Sequence, residues 1–281
     1  FIKNDKSRSK KNISKHYDLG NDFFSLWLDP SLTYSSAIFE KQESNLESAQ
    51  MNKYKKLLSL INPKAGDKIL EIGCGWGGFA EFVGKNHDIK MDCITISQKQ
   101  FDYASKRIFE NGLNEKIKIK LQDYRDVKEK YNSIVSIEMI EAVGKNYLSN
   151  FFNIIKFNLS EKGKAAIQAI TINDDLFERY KTKEDFIQKY IFPGGFLPSK
   201  KSLYNITSNK GLSINSYNSY GFHYSNTLKL WSNQFFNKWD QISKQGFDIS
   251  FKRMWHFYLS YCEAGFKSKN IDLIQFSLQK R

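Results

Sequence analysis

The stretch Glu71-Ile72-Gly73-Cys74-Gly75-Trp76-Gly77-Gly78 decides the fold. It follows a short apolar run at residues 68–72 and precedes a segment with helical character at 80–85. Glycines here let the backbone turn sharply and come close to a ligand, and amide groups at a helix start meet polar or anionic groups. The stretch therefore predicts a ligand-binding turn between a strand and a helix.

Strands and helices alternate after this turn. The pattern predicts strands at 68–72, 91–96, 117–121, 133–137 and 165–171, with helices at 80–85, 98–110 and 147–159. Such alternation is typical of an α/β fold, in which helices cover both faces of a parallel sheet. The order then loosens, with helical character at 185–190, 227–239 and 253–264 and strand character at 212–220 and 271–278. Seven strands, the last two late in the chain, predict a seven-stranded Rossmann-like class I methyltransferase sheet.

Two regions follow from this pattern. Residues 1–60 are predicted to form a basic N-terminal segment and a helical lid, with helix from His16 to about Leu60. Residues 61–281 form the methyltransferase domain, with cap insertions at about 173–199 and 222–267. The first residue is Phe1 rather than Met, which is compatible with a fragment of a longer protein.

The glycine stretch also contains the dinucleotide fingerprint G-x-G-x-x-G, at its first, second and fourth glycines. Two features favour S-adenosylmethionine over a nicotinamide. Glu71 lies inside the first strand, two residues before the first glycine, which is typical of methyltransferases. A dinucleotide site needs an acid at the end of the second strand, whereas Asp92 lies at the start of that strand.

Charge and cysteine usage limit the possible partners and compartment. The chain carries 43 Lys and Arg against 30 Asp and Glu, a net charge of +13, which attracts nucleic acid or an anionic membrane face unless it is a solvated surface. No apolar run reaches the length of a membrane-spanning helix, and no signal peptide is visible. Three cysteines, none at metal-ligand spacing, predict no metal site and a reducing cytoplasm.

Further runs match a known family, with their spacing preserved from about residue 12 to 279. Beside the glycine stretch they are His16-Tyr17-Asp18-Leu19-Gly20-Asn21, Tyr34-Ser35-Ser36-Ala37, Thr95-Ile96-Ser97-Gln98-Lys99-Gln100, Gln122-Asp123-Tyr124-Arg125-Asp126, Glu138-Met139-Ile140-Glu141-Ala142-Val143-Gly144, Tyr190-Ile191-Phe192-Pro193-Gly194-Gly195 and Tyr258-Leu259-Ser260-Tyr261-Cys262-Glu263-Ala264-Gly265-Phe266. Together they resemble the cyclopropane fatty acyl phospholipid synthase family, which includes the mycolic acid cyclopropane synthases.

The resemblance implies a methyltransferase sheet with a helical lid and an acyl-binding cap. Aromatic residues concentrated in 220–261 fit the apolar walls that an acyl tunnel needs. The resemblance also implies that S-adenosylmethionine is held by Tyr34, Ser35, Glu71, Gly73, Gly75, Gly78, Thr95, Gln100, Asp123, Tyr124 and Arg125.

The implied reaction transfers a methylene group to the cis double bond of an unsaturated acyl chain on a phospholipid, giving a cyclopropane fatty acid. An alkene is a weak nucleophile, so alignment with the sulfonium methyl in a dry pocket supplies much of the rate. A base must then remove a proton from the new methyl group. The family implies bicarbonate as this base, held by Ser36, Glu141, Gln168, the backbone of Ile170, and Tyr224. It also implies that Cys262 is an active-site residue but not a nucleophile.

Two positions depart from the ring-forming pattern. Ser36 stands where cysteine is usual, and Gln168 where histidine is usual. Glutamine forms hydrogen bonds but cannot carry charge or shuttle a proton. Bicarbonate binding and ring closure are therefore open, and a methyl- or methylene-branched product is the alternative. Glu138, nearer the strand end, is a candidate for the more buried acid.

Plainer interpretations stay open for single residues: Glu141 as a surface cap, Tyr224 as packing and Cys262 as a small core residue. Small-molecule amine N-methylation and non-catalytic lipid binding are alternative functions. A nucleic-acid methyltransferase has no support beyond charge, so we expect no nucleic-acid partner. The expected partners are an unsaturated acyl phospholipid and an anionic membrane surface, bound peripherally from the cytoplasmic side. The sequence does not decide whether the protein forms a homodimer.

Overall fold

The computed structural model describes residues 5, 6, 8, 9, 12, 19–41 and 45–281. The motif residues His16 and Tyr17, together with much of the basic N-terminal cluster, lie outside the described residues.

A seven-stranded sheet forms the centre of the molecule, with strand order β3-β2-β1-β4-β5-β7-β6. The first five strands run parallel, and β7 pairs antiparallel with both β5 and β6. This confirms the predicted α/β methyltransferase sheet. The strands are β1 (Lys68–Ile72), β2 (Lys90–Thr95), β3 (Ile117–Leu121), β4 (Tyr131–Ile137), β5 (Leu159–Ile172), β6 (Leu212–Ser219) and β7 (Ile271–Lys280).

Ten α-helices in the described part of the chain surround this sheet. They are α1 (Asn21–Ser25), α2 (Leu46–Ile61), α3 (Gly78–Asn86), α4 (Gln98–Glu110), α5 (Leu148–Asn158), α6 (Asp174–Tyr180), α7 (Lys200–Asn209), α8 (Gly221–Asn237), α9 (Trp239–Ser243) and α10 (Ile249–Lys267). None of the helices within the described ranges is long and apolar enough to cross a bilayer.

The direction of strand order reverses between β1 and β4. The chain proceeds from β1 to β2 and β3 on one side, then returns to place β4 on the other side of β1. The loops after β1 and β4 diverge at such a point and leave a crevice at the carboxyl ends of the strands. The glycine stretch follows β1 and the acid-rich loop follows β4, so both open into this crevice.

The helical region predicted from His16 to about Leu60 is not continuous within the described residues, and its role as a lid stays a prediction. Helices α1 and α2 are separated by a long irregular segment, which begins with a tight turn. The Asp29 carboxylate accepts hydrogen bonds from the Ser31 amide at 2.9 Å and the Thr33 amide at 3.3 Å, beside Pro30. A side-chain acceptor and a proline favour a turn over a continued helix.

The helical character predicted at 185–190 is limited to a π-type turn, Ile187–Ile191. Helices α6 and α7 were not predicted because both are short and polar. Their caps explain them: the Asn173 side chain accepts from the Asp175 amide, and Ser199 and Ser202 form a reciprocal capping box. Segment 173–199 thus contains α6, and segment 222–267 contains α9, α10 and all of α8 except its first residue. The assignment of both segments as caps stays a prediction.

An aromatic cluster joins α1 to α8 and α10. Phe23 lies 5.2 Å from Trp255, and Trp27 lies 5.7 Å from Trp231, each measured between ring centroids. All four side chains are fully or almost fully buried. Because large aromatic side chains contribute heavily to packing, this cluster fixes α1 and the cap-region helices against one another.

Candidate active site

A cavity of about 810 Å³ occupies the crevice at the carboxyl ends of β1 and β4. Of the predicted site residues, Ser36 and Gln168 do not line it, although both are completely buried. The predicted residues that do line the cavity are Tyr34, Ser35, Glu71, Gly73, Gly75, Gly78, Thr95, Gln100, Asp123, Tyr124, Arg125, Glu141, Ile170, Tyr224 and Cys262.

Two glycines of the stretch are required by close approaches. Gly73 has φ +82°, and a Cβ there would lie 2.7 Å from Met139 Cγ. A Cβ on Gly78 would lie 2.8 Å from the Tyr54 hydroxyl. A side chain at either position would clash or strain the backbone, so glycine keeps this turn tight against the cavity.

Glu71 fits a ligand that donates hydrogen bonds. Its Oε2 is buried and has no hydrogen-bond partner among the residues that the structure describes. Burial raises the pKa of this carboxyl to about 7, although the neighbouring Lys53 acts in the opposite direction. S-adenosylmethionine offers an amino group and ribose hydroxyls as donors, so the lining is chemically compatible with it.

The other predicted cofactor residues are held in place by mutual contacts. Thr95 Oγ1 donates to Gln100 Oε1 at 2.9 Å. Arg125 binds Asp123 with two nitrogens, at 2.8 and 2.6 Å. These contacts hold the side chains of the cofactor-binding residues in fixed positions. Asp92 faces elsewhere, in contact with Tyr131 and two lysines, and does not line the cavity.

Glu138 is the centre of the polar network behind the cavity. Its carboxylate accepts hydrogen bonds from the Ser36 amide at 2.9 Å, Gln168 Nε2 at 2.7 Å and the Tyr224 hydroxyl at 2.7 Å. Its backbone has φ +47°, a left-handed conformation that non-glycine residues rarely adopt. Burial raises the pKa of this carboxyl, while the Tyr224 hydrogen bond and the charge of Lys53 oppose the rise.

Glu141 has a different environment. Its Oε1 accepts the Ile170 amide hydrogen at 2.5 Å, and its buried Oε2 has no partner within the described part of the chain. Burial and the nearby charge of Glu138 raise its pKa to about 8. Two neighbouring buried carboxyls resist double ionisation. Glu138 has three hydrogen-bond donors and Glu141 has one, so hydrogen bonding favours the negative charge on Glu138 and the proton on Glu141.

The residues do not fit bicarbonate as the resemblance implied. Three of the five expected holders, Ser36, Gln168 and Tyr224, donate to Glu138, and the Ile170 amide donates to Glu141. The fifth holder is Glu141 itself, a carboxyl rather than a set of donors. The chain's own carboxyl groups thus occupy the donors that a bound anion needs.

The orientation of the Gln168 amide is fixed from behind. Gln275 Nε2 on β7 donates to Gln168 Oε1 at 2.8 Å, which leaves Gln168 Nε2 directed to Glu138. Glutamine at this position therefore acts as a hydrogen-bond donor to an internal carboxylate.

Lys53 on α2 is a component that the sequence analysis missed. Its ammonium is completely buried and donates to Ser35 Oγ at 2.7 Å. Burial lowers its pKa to about 7, although Glu138, Asp29 and Glu71 favour the charged form. The available signal was its position on the apolar face of α2, beside Tyr54 and Leu57, where a lysine is unexpected.

Cys262 lies on α10 against the cavity. Burial raises the pKa of its thiol to about 12, so the thiol is protonated at neutral pH. This agrees with a residue that is not a nucleophile. Among the residues described, no cluster of three His, Cys, Asp or Glu side chains is arranged to hold a metal ion.

The sequence profile described as mycolic acid cyclopropane synthetase matches residues 4–276. The chain belongs to this family. Among its relatives, the tuberculostearic acid methyltransferase UfaA1 of Mycobacterium tuberculosis is 38% identical over 282 residues, covering 97% of this chain and 66% of that protein. The cyclopropane-fatty-acyl-phospholipid synthase of Escherichia coli strain K12 is 37% identical over 262 residues, covering 93% and 65%.

Structural similarity agrees with this membership. The crystal structure of the mycolic acid cyclopropane synthase CmaA1 complexed with SAH and CTAB has a TM-score of 0.90 at 29% identity, covering 96% of this chain and 98% of that chain. The family is thus confirmed. The chain spans 66% and 65% of the length of the two curated relatives.

The Glu141 environment in this family member predicts a pH-dependent stability. Its folded pKa of about 8 lies above the ordinary 4.5, so the folded state binds more protons between these values. The free energy of unfolding should therefore fall as pH rises from about 5 to about 8, by at most about 1.4 kcal/mol per pH unit for this group. Denaturant titrations of the wild type and Glu141→Gln should show a smaller fall in the variant. Parallel pH curves would contradict the assignment.

Proposed function

We propose that this chain transfers one carbon from S-adenosylmethionine to the cis double bond of an unsaturated fatty acyl chain on a phospholipid, and closes a cyclopropane ring. One observation carries the proposal: a single cavity connects the glycine stretch to Glu138 and Glu141. Aromatic side chains, including Tyr224 and Phe266, line the same cavity, and apolar walls suit an acyl chain.

S-adenosylmethionine supplies an electrophilic methyl group on a positively charged sulfur. The glycine turn, Glu71 and the Asp123–Arg125 pair hold and orient it. The cavity wall excludes water and aligns the double bond, which matters because an alkene is a weak nucleophile. The substrate becomes a carbocation after methyl transfer, and a proton must then leave the new methyl group.

Glu138 is the proposed proton acceptor. It lines the cavity, and Ser36, Gln168 and Tyr224 stabilise its charged form by hydrogen bonding. A charged carboxylate beside a developing cation also lowers the energy of the transition state. Glu141, which is protonated, accepts a hydrogen bond from the Ile170 amide and lines the same polar end of the cavity.

A branched product is the second candidate. After methyl transfer and a hydride shift, loss of a different proton leaves a methyl or methylene branch. The departures at Ser36 and Gln168 favour this route, and the UfaA1 relative is named a tuberculostearic acid methyltransferase. Amine N-methylation is the third candidate. The cavity lining has basic side chains at Arg179 and Lys183 and acidic ones that include Asp185, so charge alone does not favour it.

Incubation with oleoyl phospholipid and cofactor carrying a CD3 methyl group tests the proposal. A ring product retains two deuteriums, because one leaves with the proton acceptor. A branch formed by proton loss from the chain retains three. A methylene branch also retains two, and mild hydrogenation separates it from the ring because an alkene reacts readily. Transfer of label to an amine instead of the lipid would contradict the proposal.

Calorimetric titration should show binding of S-adenosylhomocysteine and none of NADH.

A further inference from the structure

The outer face of α10 carries a stripe of basic and aromatic side chains. Arg253, Phe257 and Tyr261 follow one another at intervals of four residues and so lie on one side of the helix. All three are exposed; Phe257 exposes 52% of its surface and Tyr261 exposes 44%. Contiguous exposed apolar surface, unlike a single exposed ring, indicates an interaction site.

The segment around the π-type turn extends this stripe. The Phe186 ring lies 4.7 Å from that of Phe257 and 5.4 Å from that of Tyr190, between centroids. Tyr190 exposes 55% of its surface. Phe186, Tyr190, Phe257 and Tyr261 therefore form one continuous patch, here called the aromatic rim.

The aromatic rim is continuous with the mouth of the cavity. Tyr261 belongs to the rim and also lines the cavity. The exposed Arg179 and Lys183 line the cavity as well, and the Lys189 ammonium lies 5.2 Å from the centre of the Tyr190 ring. Acidic side chains are also present, since Asp185 accepts a hydrogen bond from the Tyr261 hydroxyl at 3.5 Å.

We propose that the aromatic rim docks on the interfacial layer of an anionic bilayer, with the cavity mouth facing the lipid. This rests on the proposed function, since an acyl chain that moves directly from bilayer to cavity avoids exposure to water. Tyrosine and other aromatic rings favour the headgroup layer, where one end is apolar and the other is wet. Arg179, Lys183, Lys189 and Arg253 complement anionic headgroups.

Vesicle binding tests the docking surface. The test variant is Tyr190→Ser with Phe257→Ser, because neither residue lines the cavity. The matched control is Phe109→Ser with Phe157→Ser, which expose 72% and 57% of their surfaces and also lie outside the cavity lining. We expect the test variant to bind phosphatidylglycerol vesicles at least about tenfold more weakly than the wild type, and the control to bind equally well.

Charge is tested separately with Arg253→Glu. This variant should bind phosphatidylglycerol vesicles more weakly, and wild-type binding should weaken as salt rises. Wild-type binding to phosphatidylcholine vesicles of equal strength would contradict the electrostatic part. Equal vesicle binding by the test variant and its control would overturn the proposal. So would a wild type that does not bind vesicles and binds a partner protein through the aromatic rim. Affinity for S-adenosylhomocysteine confirms that each variant is folded.

A second readout separates this proposal from the proposed function. The test variant should methylate an unsaturated acyl substrate dispersed in detergent as fast as the wild type, and the same substrate in vesicles more slowly. If the test variant matched the rate of the wild type in vesicles as well as in detergent, the docking proposal would be overturned and the proposed reaction would stand. If the wild type transfers no label in either form yet binds vesicles through the rim, the reaction is wrong and the docking surface stands.

Discussion

Replacing Glu138 with glutamine should lower kcat by at least about 100-fold, the usual contribution of a positioned proton acceptor. Glutamine has nearly the same shape, but it is a far weaker base and bears no charge beside the cationic substrate. Binding of S-adenosylhomocysteine should change little, since the substitution leaves the glycine turn and Glu71 in place. Single-turnover kinetics with labelled cofactor measure the effect.

Two other acids provide the comparison. Glu141→Gln should have a smaller effect than Glu138→Gln, because Glu141 is already protonated at neutral pH with its pKa near 8. Glu115→Gln, at an exposed position on the surface, should be indistinguishable from the wild type. A fully active Glu138→Gln enzyme would show that the proton acceptor lies elsewhere. The reverse ranking of the two buried acids would exchange their roles.

Replacing Lys53 with methionine should lower kcat/KM at pH 7 by about tenfold, a loss of roughly 1.4 kcal/mol of transition-state stabilisation. The Lys53 ammonium favours the ionised form of Glu138 and holds the Ser35 hydroxyl. Without it the pKa of Glu138 rises further, so the acid limb of the pH–rate profile should move to higher pH. The deficit should shrink at alkaline pH, where the wild-type lysine also loses its charge.

Stability distinguishes this role from a structural one. Methionine matches the length of lysine and removes the desolvation cost of a buried charge, so the melting temperature should stay the same or rise. Lys55→Met, at an exposed position on the same helix, is the matched control and should leave the pH–rate profile unchanged. A destabilised Lys53→Met protein with an unshifted profile would mean that Lys53 only supports packing.

The sequence predicted the sheet well because strand signals there are local. Strands β1 and β3 and helix α4 were predicted with their observed bounds, since apolar runs and end signals coincide in each. The interruption of the helical region before Leu60 was not predicted. The turn at Asp29 and Pro30 depends on side-chain to backbone hydrogen bonds, which hydrophobic periodicity does not represent.

The sequence predicted individual site residues but not the hydrogen bonds between them. Resemblance identified Ser36, Gln168 and Tyr224, yet only the folded chain shows all three donating to one carboxylate. That network joins residues about 190 positions apart. They lie on β5, on α8, in the segment after α1 and in the loop after β4, so no local pattern contains it. Lys53 was missed for the same reason, because its partners lie in the segment after α1 and beyond β4.

The left-handed backbone at Glu138 has a consequence for how the reaction depends on its surroundings. The strained conformation directs the carboxylate onto donors that are otherwise free to bind a small diffusible anion. A proton acceptor that is covalently part of the chain is present at full occupancy in every molecule. With Glu138 as the proposed proton acceptor, we expect the reaction rate to be independent of dissolved carbon dioxide and bicarbonate.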